Sequence, residues 1–163
     1  MISFITIMLA AALQAPAPAG DTAGEETAVL AAVEQMFDAM RRRDAESYTA
    51  LLVPEGMAIR VRVDGPETNT VRFRSNAEDI ELFKQGTDRW DERIWNPTVH
   101  VHGPIAVVWT PYDFHINGKF SHCGFDLFEL LKVDGKWRLS NASWTVQTVD
   151  CPPSPLGPLP PLK

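Results

Sequence analysis

Three groups of side chains in this chain have the types and spacing for chemistry. Asp126 stands in the apolar run Phe125-Asp-Leu-Phe128. A carboxyl held among such neighbours is partly desolvated, which raises its pKa toward that of a useful general acid or base. Asp113 and His122 flank the dipeptide Asn117-Gly118, so a hairpin there can set them side by side. A carboxylate next to an imidazole orients it as a general base. His100-Val-His102 places two imidazoles on one face of a strand, as metal-binding barrels do. The first two groups also have a structural reading. Asp126 can hydrogen-bond Trp109 or Ser143, and Asp113 and His122 can form an ion pair at a sheet end. There is no nucleophile elbow, phosphate loop or nucleotide fingerprint, and Cys123 and Cys151 lack the Cys-x-x-Cys spacing of redox sites. No cofactor is expected.

The elements that must position these groups lie between Ile94 and Val149. This run reads as four antiparallel strands, with turns at Gly103-Pro104, Asn117-Gly118 and Asp134-Gly135. Asn-Gly and Asp-Gly supply the positive φ angles of two-residue hairpin turns. The register then follows by counting. His102 faces Ile105, and Thr98 faces Trp109. Ile116 faces Lys119, so Asp113 lies opposite His122 and Trp109 opposite Asp126. Val133 faces Lys136, so Asp126 lies opposite Ser143 and Phe128 opposite Asn141. Opposed residues share a face.

One face therefore gathers Asp126, His122 and Asp113 with Trp109, His100, Thr98, Phe128, Asn141 and Ser143. Apolar walls around a few polar groups suit a small-molecule pocket. The other face carries Val99, Val108, Tyr112, Phe125 and Leu127, too much apolar area for a monomer surface, which points to a homodimer interface. A single bulge would exchange the faces along part of a strand. Six residues at about 3.3 Å rise put His100 on the order of 20 Å from His122, so no shared metal is expected.

Upstream, Val29, Leu30, Val33, Met36, Phe37 and Met40 form one helical stripe, which predicts a helix over 25–43. Arg41, Arg42 and Arg43 read as its solvated, dipole-matched end. Asp44 can cap a second helix over 45–52. Residues 57–63 and 70–74 alternate as a pair of strands. Arg60 and Arg62 share a face of the first strand, and Arg72 and Arg74 share one of the second. They read as solvent-facing, or else as the rim of an anion site. Ser75 and Glu78 have capping-box spacing at the start of a third helix, and Gly86 ends it. The tail after Cys151 is Pro-rich and cannot join a sheet.

The full chain has 163 residues, a formal net charge of -6 and a pI near 5.1. Its length suits one domain with a real core. The acidic balance argues against a nucleic-acid partner. Ile2 to Leu13 is uncharged and apolar and is followed by Gln-Ala-Pro-Ala-Pro-Ala-Gly, the pattern of a signal peptide cleaved near Ala15 or Ala19. The run is too short to span a bilayer, and no stable membrane anchor is expected. The expected parts are a signal peptide over 1–19, a domain over 20–150 and a tail over 151–163, in a periplasmic or secreted protein. Two cysteines in an exported chain suggest a disulfide. Retention inside the cell would leave two buried thiols.

The segments Trp90-Asp-Glu-Arg-Ile-Trp-Asn-Pro97, Val108-Trp-Thr-Pro-Tyr-Asp-Phe114, Ser121-His-Cys-Gly-Phe-Asp126 and Gly135-Lys-Trp-Arg138, in this order of elements, resemble the nuclear transport factor 2-like superfamily. That is the SnoaL-like, ketosteroid isomerase-type cone fold. The resemblance implies an α+β domain with N-terminal helices packed on a strongly curved antiparallel sheet that forms a half-barrel. It also implies a Cys123–Cys151 bridge, since similar proteins often carry a Cys in the His-Cys-Gly segment and another after the last strand. It is specific for fold and poor for activity, because this fold hosts many unrelated functions. Three functions stay open. The first is an exported module binding a small apolar or aromatic ligand in the cone. The second is a cofactor-independent isomerase or dehydratase using Asp126 or the Asp113–His122 pair. The third is a structural domain whose cone is filled by its own side chains.

Overall fold

The computed structural model describes residues 22–65 and 68–160. The apolar N-terminal run, its cleavage region and the 19/20 domain boundary lie outside the described residues. Helices α1 (Thr22–Arg42) and α2 (Ala45–Leu51) lead into strands β1 (Leu52–Gly65) and β2 (Thr68–Ser75) and helix α3 (Asn76–Gln85). Strands β3 (Trp90–Ile94), β4 (Thr98–His102), β5 (Ile105–Ile116), β6 (Lys119–Val133) and β7 (Lys136–Val146) follow. All seven strands form one sheet in the order β2-β1-β7-β6-β5-β3, and β4 continues the β3 edge along β5. The fold is α+β, with helices packed on a large, curved, mostly antiparallel sheet that does not close. The exception in direction is β1, which runs parallel to β7.

Local chemistry sets the helix ends. The Asp44 carboxylate accepts from Ser47 N at 3.0 Å, satisfying one of the open donors at the start of α2. Ser75 and Glu78 close a reciprocal capping box on α3. The apolar stripe of α1 is buried through Val29, Val33, Met36, Phe37 and Met40. It packs on Ala106, Val108, Phe128, Leu130 and Leu139 of the sheet. Glu25 fastens the start of α1 by accepting from Lys132 Nζ at 2.5 Å and Trp137 Nε1 at 3.0 Å.

Arg43 is not a solvated helix end. Its φ is 57°, its guanidinium sits 3.9 Å over the Phe83 ring, and Nη2 donates to the carbonyls of Phe83 and Gly86. It therefore satisfies open carbonyls at the end of α3 from a different helix. Arg41 and Arg42 do pair at the surface, with Asp38.

The tight turns form where the sequence predicts them. Asn117, Gly118, Asp134 and Gly135 all have positive φ, and Ile116 faces Lys119 as Val133 faces Lys136. Beyond the turns the register moves by one residue at two bulges. Between β5 and β6, Phe114 faces His122 while His115 faces Phe120, leaving Ser121 unpaired. Between β6 and β7, Leu130 faces Leu139 while Glu129 faces Asn141, leaving Ser140 unpaired. Asp113 consequently faces Cys123, not His122. Asp126 faces Thr110 and Trp144, not Trp109 and Ser143. The β4–β5 hairpin keeps its counted pairs, Thr98 with Trp109 and His100 with Val107, but is turned over relative to β6.

Cys123 and Cys151 are joined by a disulfide. Gln147 pairs with Cys123, and the chain turns back beyond it to bring Cys151 within reach. The Pro-rich tail stays off the sheet, but Arg93 Nη1 also holds it by donating to Gly157 O at 2.9 Å. Among the described residues, no helix is long and apolar enough to cross a membrane.

Candidate functional site

The concave, helix-covered side of the sheet encloses a cavity of about 340 Å³. At about 30 Å³ per water it holds roughly eleven, so the cone is not filled by its own side chains. Met36 and Met40 of α1 and Tyr48 of α2 form its roof. Trp90 on β3, Phe114 on β5, Phe128 on β6 and Trp144 on β7 form its aromatic walls. The polar groups are few: Glu92, Asp126, Tyr112 and His122 on the sheet, Arg60 and Arg74 on β1 and β2, and Asp79 with Asn76 on α3. A wider open groove of about 550 Å³, between α1, α2 and the β6–β7 turn, contains none of these acids.

Asp126 and Glu92 form the centre of the cavity. Asp126 is 2% exposed and Glu92 is 9% exposed. Their carboxyl groups hydrogen-bond each other, which needs a proton between them. Burial raises Glu92 to about 7. Burial and the neighbouring Glu92 charge push Asp126 well above the carboxylate range. Two adjacent buried carboxyls cannot both ionise cheaply, so at neutral pH the pair keeps at least one proton, on Asp126. Asp126 Oδ2 takes no hydrogen bond from any N–H or hydroxyl among the described residues. The centre of the cavity is therefore an acid pair that depends on its shared proton, with Glu92 as its more exposed member.

The surrounding groups are held in place by the fold. Tyr112 is buried, and its hydroxyl donates to Thr145 O at 2.7 Å, so the phenol crosses β6 at Gly124. A Cβ at Gly124 would come 2.1 Å from Thr145 O, which is why the position needs glycine. Burial and the Asp126 charge hold the Tyr112 phenol far above its ordinary pKa. His122 stacks on Phe114 with ring centres 4.8 Å apart. Burial, then the Arg60 charge, lowers it to about 4, so it is neutral at physiological pH. Tyr48 donates to Asp79 at 3.0 Å, and Asp79 also pairs with Arg74 at 3.0 Å.

Of the residues singled out from sequence, Asp126, His122 and Phe128 line this cavity. The two bulges take the others out of it. Trp109 is 49% exposed on the outer face, stacked on Phe125 at 5.1 Å. Thr98 and His100 lie exposed on β4 beside it. Asn141 faces outward, binding Glu129 Oε1 and accepting from Met57 N, and Ser143 pairs with Leu127 on the same outer face. Asp113 is also on the outer side, in a two-point ion pair with Arg93 at 2.8 and 2.5 Å, so the Asp113–His122 pair does not form. Among the described residues no three His, Cys, Asp or Glu side chains converge as a metal would require.

Sequence reasoning missed Glu92, the partner that gives Asp126 its chemistry. The signal was present. Alternation in Trp90-Asp-Glu-Arg-Ile94 places Glu92 between Trp90 and Ile94 on one face, an acid in an apolar stripe. The same one-residue offset brings Tyr112, expected on the opposite face, into the cavity beside Trp144.

Known structures share this architecture. A protein of unknown function from Mycobacterium tuberculosis superposes with a TM-score of 0.65 at 16% identity, covering 82% of this chain and 78% of its own. A nuclear transport factor 2 (NTF2-like) superfamily protein from Salmonella enterica gives 0.60 at 15% identity, covering 79% and 95%. A Xanthomonas campestris protein described as "Putative calcium/calmodulin dependent protein kinase II association domain" gives 0.59 at 25% identity, covering 83% and 94%. No protein of curated function matches the chain. A family model described as "Putative lumazine-binding" matches residues 24–145. The chain belongs to that family, within the nuclear transport factor 2-like superfamily.

Proposed function

We propose that this protein is an exported small-molecule-binding domain that holds a flat, largely apolar ligand in its cone. The carrying observation is the cavity of about 340 Å³ whose aromatic walls surround a buried carboxyl pair that holds a proton. Apolar walls with a few convergent polar groups are the usual composition of a ligand site. The family's description as lumazine-binding makes lumazine, a flat heterobicycle bearing carbonyls and N–H groups, the natural first probe. Titration of the protein with lumazine should quench tryptophan fluorescence saturably through Trp90 and Trp144. Ala142→Phe, and separately Ala58→Leu, fill the cavity and should abolish the effect while leaving the folded circular-dichroism spectrum. Quenching that survives both variants would place lumazine elsewhere and sink the reading.

The disulfide and the apolar N-terminal run support export. Ile105, Trp109, Phe125 and Leu127, exposed together on the outer sheet face, support a homodimer, as does the likeness to an association domain.

A second reading is favoured by one observation, the raised pKa of the Glu92–Asp126 pair. An acid near neutrality between apolar walls is suited to moving a proton on or off carbon, the step of a cofactor-independent isomerase or dehydratase. The test is deuterium uptake from D2O next to the carbonyl of 2-tetralone. Uptake above the buffer rate that disappears in Asp126→Asn supports catalysis. Uptake equal to buffer leaves the binding function alone.

A further inference from the structure

Arg60 and the carboxyl pair lie in one cross-strand row. Arg60 on β1 faces Trp144 on β7, and Trp144 faces Asp126 on β6. Opposed residues share a face, and all three line the cavity. Two strand spacings, about 10 Å between Cα positions, separate Arg60 from Asp126, with the indole between them.

The two guanidiniums of the cavity are not equivalent. Arg74 is neutralised by Asp79. Arg60 is half-buried, and among the described residues no carboxylate lies within ion-pair reach of it. His122 beside it is neutral and offers no counter-charge. A cation facing an apolar cavity without an anion is costly, and a neutral ligand sealing the cone would desolvate it further. At the other end of the row, a carboxyl pair holding one proton can both donate and accept, and both of its members line the cavity.

We infer that the ligand of the cone is a flat monoanion lying along the Trp144 indole, its acidic group forked on Arg60 and a hydroxyl, N–H or carbonyl at its far end on the Glu92–Asp126 pair. This rests on the cone being a binding site and adds the charge and the orientation of what it binds. Arg suits a carboxylate because its planar fork makes two parallel hydrogen bonds.

The test uses three fluorescent probes of one shape: 6-hydroxy-2-naphthoate, its neutral amide, and 2-naphthoate, which lacks the hydroxyl. The hydroxy acid should bind about tenfold or more tighter than the amide, and removal of the hydroxyl should weaken it severalfold. Arg60→Gln should erase the preference for the acid, bringing acid and amide to similar affinity in a protein that keeps its folded circular-dichroism spectrum. Arg60→Lys should retain part of it. Equal affinity for acid and amide, or a preference that survives Arg60→Gln, overturns this inference and leaves the cone as a binding site. Failure of all three probes to saturate overturns both.

Discussion

At the scale of the residue, the informative group is the pair Glu92–Asp126, because its pKa and that of His122 move in opposite senses. Glu92 rises from 4.5 to about 7 on folding, so it holds a proton that the unfolded chain would release. The stability this contributes is fully present below 4.5 and is lost as pH rises through about 7. His122 falls from 6.5 to about 4, so the unfolded imidazole takes up a proton that the folded one refuses. Its contribution is present above 6.5 and is lost as pH falls through about 4. The melting temperature should therefore peak between these limits. Glu92→Gln should flatten the decline on the alkaline side, and His122→Asn the decline on the acid side. A Glu92→Gln curve parallel to wild type through neutrality would show that Glu92 itself takes up no proton on folding there.

At the scale of the element, Arg43 ties the end of α1 to the end of α3. Arg43→Ala removes a guanidinium shared by two carbonyls and a cation–π contact with Phe83. It should cost about 2–3 kcal/mol in urea unfolding, whereas Arg42→Ala, at the surface, should change little. Arg43 could not be told from its two neighbours by spacing, since its role depends on where α3 arrives. Bulges posed the same difficulty. Helix caps at Asp44 and Ser75 and the turns at Asn117 and Asp134 were legible because each is written in adjacent residues. Ser121 and Ser140 carry no comparable local mark. At Ser140 the cause is tertiary: the Asn76 amide takes its carbonyl at 2.9 Å, and β1 approaches so closely that a Cβ on Gly56 would sit 1.5 Å from the same oxygen. Two such offsets are enough to exchange Trp109 and Tyr112 between the pocket face and the outer face. Asp126 stayed in place because it lies in the stretch of β6 whose facing was counted correctly.

At the scale of the molecule, two predictions concern assembly and cohesion. The exposed cluster of Ile105, Trp109, Phe125 and Leu127 should be covered by a second copy. Sedimentation should then give a dimer, and Trp109→Asp a monomer with the same melting profile near infinite dilution. A monomeric wild type would end the dimer proposal. The Cys123–Cys151 bridge spans 28 residues, and a loop of that length predicts a loss of about 3–4 kcal/mol on reduction, measurable by denaturation with and without dithiothreitol.

The parallel pairing of β1 with β7 has a consequence for the order of synthesis. Met57 N is bonded to Asn141, 84 residues further along, so the middle of the sheet is completed by the last strand made. A chain emerging N-terminus first has no partner for the inner edge of β1 until β7 is available, and closure over so long a separation is slow. The helices and the first hairpin can form early, but the cone cannot. A chain halted before Lys136 should remain protease-sensitive, and one released beyond Val146 should become resistant in a single step. Such late closure makes the cone the last part of the molecule to form, whatever its helices have already done.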